Sequence, residues 1–363
     1  GKIYTWGANY NGQLGDGTNN NSNVPICISE LENDLKGKRI TNIYTSSSTI
    51  FALDTEGKIY AWGYNYFGQL GDGTTNSSNI PICISDLEND LKGKNIVKIY
   101  IDTNTIFALD TEGKIYSWGY NYHGELGDGT NNNRNNPICI SELENALKGK
   151  NIIDIDTVSS TIFALDTEGK IYTWGSNAFG LLGNGTTNSS NIPICISDLN
   201  NALKGKKIVD IYTGSYNIIV KDNEGKIYTW GNNRYGQVGD GITEVGDGNY
   251  RNTPICISDL DNDIKGKNIV DIYFFDSYTV IVIDNEGKIY AWGHNGYGQL
   301  GNGNYESSNT PICISDLEGN VLNGEKIKKY CNINFGSSYN YNSGYCYLTQ
   351  DGKVYYYYYR GLV

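Results

Sequence analysis

Between residues 96 and 140 the chain alternates short apolar runs with stretches of Gly, Asn, Ser and Thr. Ile-Val-Lys-Ile-Tyr (96–100) and Thr-Ile-Phe-Ala-Leu (105–109) are β-branched or aromatic, as a pleated, half-buried surface requires, and both are expected to be strands. Asp110-Thr-Glu-Gly113 is expected to turn the chain tightly into a third strand, Lys114-Ile-Tyr-Ser-Trp118, with glycine where φ is positive. A glycine-rich loop follows, and then Asn-Asn-Pro-Ile-Cys-Ile (135–140) as a fourth strand. Proline at its start fits a sheet edge, where a missing N–H breaks no ladder bond. Ser141-Glu-Leu-Glu-Asn-Ala-Leu-Lys-Gly149 reads as a helix of one to two turns, with Ser141 and Glu144 as a capping box and Lys148 and Gly149 closing it. Ser29/Glu32, Ser85/Glu88 and Ser315/Glu318 repeat the box.

This pattern recurs along the whole chain. The tryptophans stand at 6, 62, 118, 174, 230 and 292, and each of the six prolines opens the tetrapeptide Pro-Ile-Cys-Ile. A fixed period with fixed chemistry marks a repeat architecture. The boundaries fall near 1–56, 57–112, 113–168, 169–224, 225–286 and 287–351, with a partial unit at 352–363, all within one domain of residues 1–363. Four-stranded units repeated around an axis make an all-β protein, a β-propeller of four-stranded blades with short capped helices between them.

Calling the strands A to D from the axis outward, there are six A–B pairs (starting at 40, 96, 152, 208, 269 and 327), six D strands and seven C strands, the last at 353–359. Seven blades are therefore expected in the intact protein. One more D strand and one more A–B pair would come from a closing segment ahead of Gly1. A six-bladed ring with 353–359 displaced is the alternative.

The motif Gly-Lys-hydrophobic-Tyr-x-Trp-Gly-x-Asn-x-x-Gly-Gln-Leu-Gly-x-Gly, followed by proline and a strand, resembles the regulator of chromosome condensation repeat family. Residues 57–73 and 287–303 match it closely. The resemblance implies a propeller, typically seven-bladed, whose motif glycines and tryptophan are structural. It also implies two functional expectations: a rigid protein–protein interaction module without catalysis, or guanine-nucleotide exchange on a small GTPase, which some relatives perform. The ultraviolet-B photoreceptor that resembles this family relies on a Gly-Trp-Arg-His-Thr motif, which this sequence lacks.

Charge narrows the partner. With 28 Lys plus Arg against 40 Asp plus Glu, the net charge is −12, which disfavours nucleic acid, since gripping a phosphate backbone needs a basic face. No apolar stretch is long enough to span a membrane as a helix. Cysteines 27, 83, 139, 195, 256 and 313 occupy one repeat position at the rim, spaced beyond disulfide reach, which suits the cytoplasm or another reducing compartment. Cys331 and Cys346 fall on paired strands, an arrangement that admits a disulfide.

The glycine-rich loop Trp62–Thr74 is not expected to hold phosphate, because Asp72 would repel the anion and no lysine follows the last glycine. No cofactor and no catalytic residue are expected. For metal, the one weak calcium candidate is the inserted loop with Asp240, Glu244 and Asp247. His123 and His294 are read as polar loop residues. Tyrosine is amphipathic and favoured at interfaces, so the loop tyrosines Tyr64, Tyr66, Tyr120, Tyr122, Tyr235 and Tyr297 are expected to meet a protein partner, together with Glu244, Asp247 and Tyr250 of the insertion. The insertion is also the element expected to act on a GTPase under the exchange reading.

Overall fold

The computed structural model of the chain describes residues 1–46, 48–242, 249–275, 277–320, 322, 324–335 and 342–360. The chain forms two compact units: Gly1–Ser176 with Ser189–Cys195, and Asn177–Asn188 with Ile196–Val363.

In the first unit, β1 (Tyr4–Gly7) pairs with β2 (Ser22–Cys27). Three four-stranded antiparallel sheets follow. The first comprises β3 (Ile40–Ser46), β4 (Thr49–Asp54), β5 (Ile59–Gly63) and β6 (Ser78–Cys83). The next holds β7 (Ile96–Asp102), β8 (Thr105–Asp110), β9 (Ile115–Gly119) and β10 (Arg134–Cys139). The third holds β11 (Ile152–Val158), β12 (Thr161–Asp166), β13 (Ile171–Gly175) and β14 (Ser190–Cys195).

The second unit contains two more such sheets. One is β15 (Ile208–Thr213), β16 (Asn217–Asp222), β17 (Ile227–Asn232) and β18 (Tyr250–Cys256). The other is β19 (Ile269–Phe274), β20 (Thr279–Asp284), β21 (Ile289–Gly293) and β22 (Ser308–Cys313). A three-stranded sheet of β23 (Ile327–Phe335), β24 (Asn342–Thr349) and β25 (Val354–Arg360) completes it. The six A strands begin at the residues the repeat gives, and the inventory of A–B pairs, C strands and D strands is the expected one.

Burial explains the order within a sheet. The B and C strands β8 and β9 are buried along their whole length, which is why they read as unbroken apolar runs rather than alternating ones. They pack against the neighbouring sheet, where the Phe51 ring meets Trp118 edge-on at 6.3 Å and Phe107 meets Trp174 at 6.1 Å. The D strand is an edge and tolerates its proline by a bulge. β10 pairs Arg134 with Gly119 and Ile138 with Ser117, so the ladder shifts register across Pro137.

The B–C turn forms as expected around Asp110. One carboxylate oxygen accepts the N–H groups of Glu112 and Lys114, each at 2.9 Å, and the other accepts the Tyr116 hydroxyl at 2.9 Å. Gly113 has φ 76°, and a Cβ there would lie 2.0 Å from the Asn151 side chain.

The capped helices do not form. After β10 there is only a single 3-10 turn, Ile140–Glu142, with no side-chain cap; the turns at Ile28–Glu30, Ile84–Asp86 and Ile314–Asp316 match it. The supposed capping serine is used elsewhere: Ser141 Oγ accepts the Ile115 N–H of strand C at 2.9 Å, and Ser29, Ser85 and Ser315 do the same for Ile3, Ile59 and Ile289. Glu144 pairs with Lys148 instead of reaching back. Asn145 then holds the chain in turns, donating to the Ile140 carbonyl at 2.9 Å and accepting the Leu147 N–H at 2.8 Å. A segment this short cannot offset the cost of nucleating an α-helix when a side chain competes for its backbone.

Candidate functional site

The loop between strands C and D is built around a buried asparagine. Asn65 Oδ1 accepts the Leu70 N–H at 2.8 Å, while its Nδ2 donates to Asp72 Oδ1 at 3.1 Å and to the Thr74 and Asn76 carbonyls at 3.2 and 3.0 Å. Asp72 also accepts the Thr74 N–H at 2.9 Å, so its charge is spent inside the loop. Gly71, at φ 76°, lies against the next sheet: a Cβ there would stand 2.8 Å from the Trp118 indole nitrogen, whose N–H donates to the Gln69 carbonyl at 2.8 Å. These glycines close sheet upon sheet.

What the loop presents outward is set by the residue before its first glycine. That position holds Asn11, Phe67, His123, Phe179, Tyr235 and Tyr297. Two residues further on, a side chain holds its backbone, buried in every case but Gln13. Gln13 accepts the Asn11 N–H at 2.9 Å, Gln69 that of Phe67 at 3.0 Å and Glu125 that of His123 at 2.8 Å. Gln237 and Gln299 hold Tyr235 and Tyr297 in the same way, each at 2.9 Å. Where leucine replaces the glutamine, at Leu181, Phe179 takes φ 59°, a left-handed conformation rare for a bulky side chain.

In the first unit this position gathers the predicted tyrosines. Tyr64 stacks on Tyr66 with centroids 6.4 Å apart, and Phe67 bridges Tyr66 at 5.0 Å and Tyr120 at 5.2 Å. Tyr122 packs on His123 at 4.9 Å. Tyr66 and Tyr122 are exposed. Burial, with the Glu125 carboxylate nearby, pushes the Tyr120 hydroxyl pKa above its ordinary value. Tyr10 is exposed on its own loop.

In the second unit a longer chain of rings runs from Phe179 through Tyr216, Tyr278, Tyr235 and His294 to Tyr297, with successive centroids 5.3, 6.2, 5.0, 4.7 and 5.7 Å apart. His294 Nδ1 lies 2.8 Å from Gln299 Nε2. The sequence reading missed Phe67, Phe179, Tyr216 and Tyr278, and gave His123 and His294 only a polar role. Phe67, His123 and Phe179 share a repeat position with the predicted Tyr235 and Tyr297, a signal available by aligning the repeats.

Tyr250 lies on β18 opposite Asn232. Glu244 and Asp247 lie outside the described residues. Of the calcium candidates only Asp240 is described, and its buried carboxylate is paired with the Arg251 guanidinium. Among the described residues no group of three or more His, Cys, Asp or Glu side chains is arranged to hold a metal ion. No described helix is long and apolar enough to cross a membrane. Cys331 and Cys346 are direct cross-strand neighbours on β23 and β24.

Repeated C–D loops bound to the following tryptophan agree with the family comparison: a family model described as an RCC1-like domain matches residues 1–342. The chain belongs to the RCC1-like domain family. It is 29% identical over 359 residues to the human E3 ubiquitin-protein ligase HERC2, covering 98% of this chain but 7% of that protein. It is 28% identical over 327 residues to the Arabidopsis thaliana ultraviolet-B receptor UVR8, covering 90% of this chain and 68% of the receptor. Among solved structures, Prp20p of Saccharomyces cerevisiae superposes with a TM-score of 0.60 at 20% identity, over 98% of this chain and 80% of that one. That structure was described together with the binding of Prp20p to Gsp1p and histones. The RCC1-like fold is an all-β propeller architecture of four-stranded antiparallel blades, and the complete sheets of both units are such blades.

Proposed function

We propose that this RCC1-like domain is a protein-interaction module without chemistry of its own, and that the ring-bearing loops of strands C and D are its contact surface. The observation that carries this reading is the repeated ring whose backbone a buried Gln or Glu holds in place. Rigid aromatic side chains lose little entropy on binding, and aromatic residues are enriched in protein interfaces. The acidic charge suits a protein partner better than a nucleic acid.

Replacing Tyr66, Phe67 and Tyr122 together by serine tests it. The variant should keep its circular dichroism and melting temperature, because these rings sit outside the core. It should lose at least about tenfold in capture of whatever protein the unchanged domain retains, since anchor aromatics typically contribute over 1 kcal/mol each. Unchanged capture by a folded variant would refute the assignment of this surface. Nucleotide exchange on a small GTPase, the second reading of this domain, is an outcome of the same experiment. A captured GTPase retained best without nucleotide would make exchange the activity of the module.

A further inference from the structure

In the second unit, two C–D loops hold their rings with the same side chain but through different acceptors. Asn232 and His294 occupy one repeat position, directly after the Trp-Gly pair, and each stands five residues before the glutamine that holds a ring. Gln237 accepts the Tyr235 N–H through Oε1 at 2.9 Å and donates through Nε2 to Asn232 Oδ1 at 2.9 Å. Gln299 accepts the Tyr297 N–H through Oε1 at 2.9 Å, and its Nε2 lies 2.8 Å from His294 Nδ1. The Tyr297 N–H can only donate, so it fixes which end of the amide is oxygen. Nε2 therefore donates to Nδ1, and His294 is neutral with its proton on Nε2. In the first unit Gln69 Nε2 donates to Asn104 Oδ1 at 3.0 Å, again an oxygen that does not titrate. Space for the imidazole comes from Gly296, which stands where other loops carry Tyr66 and Tyr122; a Cβ there would lie 2.9 Å from Nε2.

We propose that His294 is a pH-operated latch on the Tyr297 loop, which, on the reading of these rings as a contact surface, regulates that surface. The latch is closed while the imidazole is neutral and opens once it is protonated. A proton taken from water onto Nδ1 turns the acceptor into a donor, which then faces the donor Nε2 of Gln299. The imidazolium stays in place, because Tyr235 and Tyr297, with ring centroids 4.7 and 5.7 Å away, attract a cation. The amide is the part that gives. Turned over, it presents Oε1 to the imidazolium in a charge-assisted bond, stronger than the neutral one it replaces. Nε2 then meets the Tyr297 N–H, donor against donor, and the loop backbone loses its hold. The titratable and charged groups around His294 are Tyr297 on its own loop, Tyr235 on the neighbouring loop with Arg234 over its ring, and Tyr278, whose carbonyl accepts the His294 N–H. Histidine ordinarily changes charge between about pH 5 and 8, so such a latch works within the range that cells use. Asn232 offers the Tyr235 loop no such control.

The test titrates the purified chain from about pH 8 to about pH 5, with nitrogen-15 in its tyrosine amides and histidine rings, and follows it by NMR. Circular dichroism reports that the fold persists. At the alkaline end His294 Nδ1 should carry no proton. As the imidazole takes one up, the Tyr297 amide should lose at least about tenfold of its protection from hydrogen exchange, the scale of one hydrogen bond. Protection is read relative to the Tyr235 amide in the same sample, which cancels the ordinary pH dependence of exchange. His294→Asn copies the Asn232–Gln237 pair and should keep the Tyr297 amide protected over the whole range. A proton on Nδ1 at about pH 8 overturns the proposal, as does an imidazole that stays neutral until the range ends or the fold is lost. So does a Tyr297 amide that ignores the titration, or one that still opens in the folded His294→Asn variant. These readouts need no partner. Unchanged capture by the Tyr66, Phe67 and Tyr122 variant therefore refutes the contact surface alone, and failure of this titration refutes the latch alone.

Discussion

Glu125 stands where Gln13, Gln69, Gln237 and Gln299 stand in other loops, and the exchange leaves a mark. One of its oxygens holds the His123 N–H; the other, Oε1, is buried with no hydrogen-bond partner among the described residues. In the first unit Gln69 instead donates its amide to Asn104 Oδ1 at 3.0 Å. Burial raises the Glu125 pKa, because taking a carboxylate out of water favours its neutral form. A raised folded-state pKa means that the folded chain holds the proton more tightly than the unfolded one, so the contribution of Glu125 to stability is present at low pH and is lost as pH rises. Glu125→Gln should therefore stabilise the protein at pH 7 by about 1 kcal/mol, the scale of a repaired buried polar group. In urea unfolding the advantage should shrink as pH falls toward about 4, where glutamate ordinarily takes up its proton. An advantage independent of pH would show that the carboxylate's charge is not the cause.

At the scale of elements, the C–D loop depends on one side chain. Asn121 accepts the Leu126 N–H at 2.9 Å and donates to the Thr130 and Asn132 carbonyls at 3.1 and 3.0 Å. Asn121→Ala leaves several of these groups unsatisfied and should cost about 2–4 kcal/mol, measurable as a shifted urea midpoint; a loss under about 0.5 kcal/mol would mean that the loop is held by its glycines alone. The strands were legible because apolar runs, the Asp-x-Glu-Gly turn and the proline each carry a local mechanism. The capped helix at 141–149 was misread because Ser141 and Glu144 satisfy a local rule while the fold uses Ser141 for the Ile115 N–H, a partner 26 positions away. The ring clusters were half legible. Tyr64, Tyr66, Tyr120 and Tyr122 stood out by type, but Phe67 bridges Tyr66 and Tyr120 across two repeats, a contact that no single repeat displays.

At the scale of the molecule, duplication writes much the same polar chemistry into each repeat of the chain. Its buried polar residues recur from repeat to repeat and serve turns, loops and strand ends. What varies between repeats is the ring before the loop glycine, and variation on a fixed scaffold is where partner recognition is expressed.

The most direct test of that claim is site-specific photo-cross-linking. p-Benzoylphenylalanine would replace Phe67 in the first unit or Tyr297 in the second, with Glu88, exposed on the chain between β6 and β7, as the control position. The account predicts that positions 67 and 297 cross-link to a defined protein in a lysate of the source cells and that position 88 does not. Cross-linking from position 88 to a defined protein, with none from 67 or 297, would contradict it.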